Sequence, residues 1–139
     1  MKKLLLILVA SIMVVNMMAQ TLYIFGGKNH DVYLGKLNAN QYDSESIWNK
    51  YGEYGSSYNS KCIWNEYGAY GGKYSDYSPF NEYANYPPVI VDINGDFYGY
   101  LTVNRYKSNR ADFELANIIC TFWKSISEDV SEAYNKIFK

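Results

Sequence analysis

Apolar and polar positions divide the chain into stretches of different period. Leu4 to Val15 is an almost unbroken apolar run behind Lys2 and Lys3, closed by Met17-Met18-Ala19 before Gln20. This three-part form is that of an export signal, with cleavage expected after Ala19. The run from Leu4 to Ala19 is interrupted by Asn16 and falls short of the about 20 residues needed to span a bilayer. Residues 1–19 are therefore expected to leave, and 20–139 to form a single domain with one modest core. Short β-prone runs come next. Leu22 to Phe25 and Val32 to Leu37, separated by Gly26 to Asp31, predict a hairpin over 22–40. Val89 to Ile93 and Asp96 to Val103 predict a second over 89–104, turning at Asn94-Gly95, where both residues accept positive φ. At the C-terminal end, Leu115, Ile119, Phe122, Ile126, Val130, Ala133 and Ile137 recur at spacings of three and four, which predicts an amphipathic helix over 111–138. Ser125 and Glu128 have capping-box spacing and could divide it. Its expected role is to cover the sheet or the last repeat.

Between the hairpins neither period holds, and the sequence repeats instead. Ile47-Trp48-Asn49-Lys50-Tyr51-Gly52-Glu53-Tyr54-Gly55 returns 16 residues later as Ile63-Trp64-Asn65-Glu66-Tyr67-Gly68-Ala69-Tyr70-Gly71. A third copy, Phe80-Asn81-Glu82-Tyr83-Ala84-Asn85-Tyr86, ends at Pro87-Pro88. Ser46, Cys62 and Ser78 precede the copies as N-cap-like residues, with Pro79 after Ser78, so each copy is expected to open with a short helical turn. Gly52 and Gly68 are expected to end those turns in the left-handed region. No Leu, Val or Met occurs from Tyr42 to Tyr86, so the interior of this tract must be chiefly aromatic, assisted by Ile47 and Ile63. A further echo, Gly35-Lys36-Leu37 through Ser44 against Gly99-Tyr100-Leu101 through Ser108, lies at an offset of four repeats. The fold class that follows is α+β: two hairpins in a small antiparallel sheet, aromatic repeats over 46–86, and one C-terminal helix.

Composition narrows the chemistry. The chain has 13 basic and 14 acidic residues, and loss of Lys2 and Lys3 leaves the mature protein near −3, which argues against a nucleic-acid partner. With one His and two Cys among 139 residues, little is available for metal or nucleophilic work, and no cofactor or metal site is implied. Cys62 and Cys120, in an oxidising compartment, are candidates for a disulfide; the alternative is that Cys62 replaces the Ser of its sister repeats and Cys120 packs on the helix. Cys62 with His30 is the sharpest enzyme reading, without an oxyanion motif to accompany it. Asp43, Glu45, Glu53, Glu66, Asp76 and Glu82 are scattered singly, as on solvated faces. Asn38, Asn40, Asp43 and Glu45 lack the pattern of a calcium loop. The stronger candidates are the aromatic rows: Trp48, Trp64 and Phe80 in one, and Tyr51, Tyr67 and Tyr83 in another, joined by Tyr54 and Tyr70. Exposed, they would present flat rings to a glycan; buried, they are the core of the repeats.

Tyr33-Leu34-Gly35-Lys36-Leu37, Asn40, Tyr42-Asp43, Ser46-Ile47, Asn49, Tyr51-Gly52 and Tyr54-Gly55-Ser56 resemble a group of small exported bacterial proteins built from Gly-Lys-Leu hairpins and Asn-x-Tyr-Gly-x-Tyr-Gly repeats. The resemblance covers about residues 22 to 108. It implies export and a repeat architecture, and carries no catalytic residues with it. The functional expectation is a periplasmic or secreted, non-catalytic binding or structural module, whose partner is an envelope protein or a glycan. Glycan or cell-wall polysaccharide binding through aromatic ladders is the second reading, and a Cys-His hydrolase the third.

Overall fold

The computed structural model describes residues 20–139; the expected export signal lies outside them. Four short strands, β1 (Tyr23–Gly26), β2 (Val32–Lys36), β3 (Val89–Val91) and β4 (Phe97–Tyr100), form one antiparallel sheet in the order β2-β1-β3-β4. The two hairpins thus meet through β1 and β3, which pair Ile24 with Ile90. Leu22, Ile24, Leu34, Ile90 and Leu101 are buried in the core. The second hairpin turns differently from the expectation. Its strands stop at Val91 and Phe97, and the five-residue loop between them is organised by Asp92, whose carboxylate accepts from the N–H groups of Asn94 and Asp96, Tyr98 Oη–H and Gln20 Nε2–H. Only Gly95 takes positive φ.

The tract from Asn40 to Ala84 is neither helix nor strand but a string of turns that share their end residues. Nearly every turn closes an i→i+3 bond, as in Asn49 N–H to Ser46 O, Gly52 N–H to Asn49 O and Cys62 N–H to Asn59 O. In most of them the opening residue also uses its side chain, which accepts the N–H two positions on: Ser46 from Trp48, Asn49 from Tyr51, Asn65 from Tyr67. Asn, Asp and Ser suit this position because a short side-chain acceptor can mimic a backbone carbonyl. The expected helical turns are therefore corrected. Ser46, Cys62 and Ser78 do accept as an N-cap would, but three residues on Asn49, Asn65 and Asn81 open a new turn and no helix propagates. Gly52 and Gly68 do not enter the left-handed region either.

The period of 16 follows from the arithmetic of the turns. From Ser46 the turns open at Asn49, Gly52, Ser56, Asn59 and Cys62, so four steps of three residues and one of four complete a coil. The same steps lead from Cys62 to Ser78. The longer step falls at Gly52–Ser56 and Gly68–Gly72, where the chain crosses its own backbone. A Cβ on Gly55 would collide with the Asn49 carbonyl, and one on Gly71 with the carbonyls of Asn65 and Ile63. Glycine is required there by close approach.

Coils and sheet are joined twice by one device. Lys36 N–H donates to Glu45 O and Ile47 N–H to Lys36 O; 64 residues on, Tyr100 N–H donates to Asn109 O and Ala111 N–H to Tyr100 O. Both junctions need glycine. Gly35 and Gly99 have φ of +101° and +115°, and a Cβ on them would press on Glu45 O or on Ala111 N. The ribbon thereby covers part of each outer strand, limiting edge pairing with another chain. After Ala111 the second copy leaves the pattern. At the position of Trp48 stands Asp112, and the chain becomes helical instead.

There are two helices, α1 (Glu114–Glu128) and α2 (Val130–Phe138), rather than one. Asp129 separates them and its carboxylate accepts from Glu132 N–H, so the cap lies four residues beyond Ser125. Phe122 departs from helical geometry (φ −113°, ψ 15°) and is half exposed, which removes it from the expected stripe. Its neighbour Trp123 packs inward instead, with its ring on Phe80. Among the described residues no helix is long and apolar enough to cross a membrane.

Candidate functional site

The repeats place their rings in two rows with opposite fates. Trp48, Trp64 and Phe80 occupy the third position of turns opened by Ser46, Cys62 and Ser78, and all point into the core, at most 3% exposed. Their rings form a continuous pile, with centroids 5.5 Å apart from Trp48 to Trp64 and 5.8 Å from Trp64 to Phe80. The helices close both ends: Trp123 stacks on Phe80 at 4.7 Å, and Phe138 meets Trp48 edge-on at 5.4 Å. Each buried indole N–H has a carbonyl partner, Leu37 O for Trp48 and Ile47 O for Trp64, both at 2.7 Å. A buried indole N–H left without a partner would cost part of what burying the ring contributes. Trp48, Trp64 and Phe80 are thus core residues, and even Trp64, which borders a surface groove, is only 2% exposed. Tyr54 is likewise buried, 5.0 Å from Tyr33, and Tyr70 is half buried beside Tyr77.

Tyrosine fills the same third position in turns opened by Asn40, Asn49, Ser56, Asn65, Gly72, Asn81 and Asn104, and there it points outward. Tyr42, Tyr51, Tyr58, Tyr67, Tyr74, Tyr83 and Tyr106 are between 81% and 96% exposed. Of the expected ligand-facing residues, Tyr51, Tyr67 and Tyr83 therefore stand on the surface. Tyr42, Tyr58, Tyr74 and Tyr106 join them, and the signal that could have found them is the recurring Asn/Ser/Gly-x-Tyr triplet. The backbone under this surface is fixed by a second ladder. Asn49, Asn65 and Asn81 each accept the N–H of the following Tyr two residues on while donating Nδ2–H to the carbonyl six residues back.

An open groove of about 1030 Å³ runs between the second coil, with the last turns of the first, and the C-terminal half of α1. Tyr58, Tyr67 and Tyr74 line it from the ribbon, and Trp123, Lys124 and Glu128 from the helix. Trp123 has one face on Phe80, and Lys124 Nζ lies 5.5 Å from its ring centroid.

The other candidates take structural partners. Cys62 and Cys120 are free thiols, which corrects the disulfide. Cys62 Sγ accepts Trp64 N–H as Ser46 and Ser78 accept theirs, and burial pushes its pKa up to about 12. Cys120 donates to Thr102 O; burial raises its pKa to about 11 against the opposing influence of Arg110. His30 sits at positive φ with Nε2 facing Pro87 O at 3.1 Å, so it and Cys62 have separate partners. Asp43 is held below the usual carboxylate range by Glu45 N–H and by Lys36 at 2.9 Å. Glu45 accepts from Tyr33 Oη–H, and burial followed by that bond raises the Tyr33 pKa. Asn38 accepts from Leu22 N–H and Asn40 from Tyr42 N–H. These groups do the work of turns and strand junctions.

No known family, curated protein or solved structure matches the chain. The Gly35-Lys36-Leu37 motif has a physical meaning in this fold: glycine at positive φ, a strand residue bonded to the ribbon, and a buried leucine.

Proposed function

We propose that the protein is an exported, non-catalytic binding module that meets its partner in the cell envelope or extracellular space through the outward tyrosines. The observation that carries this reading is the repeated exposure of Tyr42, Tyr51, Tyr58, Tyr67, Tyr74, Tyr83 and Tyr106. Large rings normally leave water; seven on one small domain is a surface shaped for contact. Tyrosine suits such a surface because it gives large amphipathic area at the cost of only two side-chain torsions. The backbone beneath is already ordered by the Asn ladder, so binding need not organise it. A non-catalytic role is supported by the burial of Cys62, which holds the thiol protonated at neutral pH, where it is a poor nucleophile. Export is supported by the Lys2-Lys3 and Leu4–Ala19 pattern.

The test compares retention of the mature protein on isolated cell-wall and envelope material with that of a Tyr51→Ser, Tyr67→Ser, Tyr83→Ser variant whose circular dichroism is unchanged. Wild type should be retained and the variant released. Equal retention of the two overturns the reading.

A further inference from the structure

The groove between the second coil and α1 has features that the tyrosine surface alone lacks, and we propose that it is a subsite for a neutral oligosaccharide. This rests on the reading of the protein as a binding module and names the ligand class. Its aromatic lining comes from independent parts of the fold, Tyr58, Tyr67, Tyr74 and the nearly buried Trp64 from the turns and Trp123 from the helix. The tyrosines stand out in solvent, at 95%, 92% and 88% exposure, with Lys73 Nζ 5.8 Å from the Tyr74 ring centroid. Trp123 is anchored through its stack on Phe80, and its ring also has the flexible Lys124 side chain over it. A ligand that moves this side chain gains a rigid indole platform already fixed in the core.

Charge selects among ligands that aromatic rings could accept. Glu66 and Glu128 balance Lys73 and Lys124 around the groove, leaving it without net charge. A nucleic acid or phosphorylated ligand requires an excess of basic groups, and a basic peptide an excess of acidic ones. A neutral polyol requires neither. It presents apolar C–H faces for the rings and hydroxyls for the carboxylates, ammoniums and phenols placed between them, the mixture of aromatic walls and few polar groups expected of a small-molecule site. At about 1030 Å³ the groove has room for several sugar units.

The test titrates the full mature chain with cellohexaose and mannohexaose, and with an oligogalacturonate as the anionic counterpart, following heat and tryptophan fluorescence. At least one neutral hexamer should bind and perturb the fluorescence, and Trp123→Phe, which keeps a ring on Phe80, should abolish that perturbation. Tyr67→Ser with Tyr74→Ser should weaken binding about tenfold, and by more than Tyr51→Ser with Tyr83→Ser does. The proposal is overturned by the absence of heat and fluorescence change with both neutral hexamers, by tighter binding of the anionic oligomer, or by equal losses in the two double variants. If the hexamers fail while envelope material is still retained through the tyrosines, the subsite falls and the binding module stands. Failure of both removes both.

Discussion

Trp64 and Tyr67 lie three residues apart in the same coil and occupy the same position of successive turns, yet one is buried and the other is 92% exposed. The local bonds do not differ in kind: Trp64 N–H donates to Cys62 Sγ and Tyr67 N–H to Asn65 Oδ1. What differs is the side of the coil on which each turn falls. The inner row builds stability by ring packing where aliphatic residues are scarce, while the outer row is left free to meet something else. A single repeating backbone thus separates core from contact surface.

Substitutions that open the inner row should have the largest effect. Trp64→Ala removes the middle of the pile and leaves Ile47 O without its indole donor, so a loss of about 3–5 kcal/mol in denaturant unfolding is expected. A loss near that of a surface substitution would break the distinction between the rows. Gly55→Ala forces a methyl group into the Asn49 carbonyl and should cost on the order of 3 kcal/mol, since the crossing backbone has no room to yield. A melting curve matching wild type would show that the four-residue step is not fixed by contact. Asn65→Asp keeps the acceptor for Tyr67 N–H but loses the donor to Asn59 O, and should cost about 1–2 kcal/mol. If Asn65→Asp were neutral, the lateral ladder would contribute nothing.

Titration separates the rows further. The Cys62 thiol is pushed from 9.0 up to about 12 by burial, so its neutral form is favoured in the folded state. That contribution is complete below the ordinary thiol pKa and is lost as pH rises from 9.0 towards about 12. Tyr33 acts in the same direction. Cys62→Ser supplies the acceptor used in the sister repeats, so it should change neutral-pH stability by less than about 1 kcal/mol while moving the alkaline unfolding midpoint upward. An unchanged midpoint would contradict the role given to burial. The smallest effect belongs to the outer row: Tyr67→Ser should alter stability by no more than about 0.5 kcal/mol, as for a surface site. A larger loss would mean that the outer rings support the fold.

Much of the architecture is legible in the sequence. The hairpins and the helical C-terminal region follow from periodicity, because burial imposes a period of two on strands and one near 3.6 on helices, while the turn tract is marked by its 16-residue repeat and its lack of Leu, Val and Met. The candidate surface was only partly legible. Tyr51, Tyr67 and Tyr83 could be named, but Trp48, Trp64, Phe80 and Tyr54 could not be separated from them, since a row of rings has the same spacing on either side of a coil. Trp123 escaped notice because the break in helical geometry at Phe122 alters which residues face the core. The disulfide expectation failed for a similar reason: two thiols in one chain say nothing of their separation, and each found a nearer partner.

By itself, then, the chain specifies a string of capped turns, because Asn, Ser and Asp close those bonds with near neighbours whatever the rest of the protein does. It also specifies which positions carry rings. Only the tertiary structure decided which rings are core and which are surface, through the winding of 16 residues per coil and the helices laid across the pile. Inside and outside are relations between distant segments, and local hydrogen bonds hold no record of them.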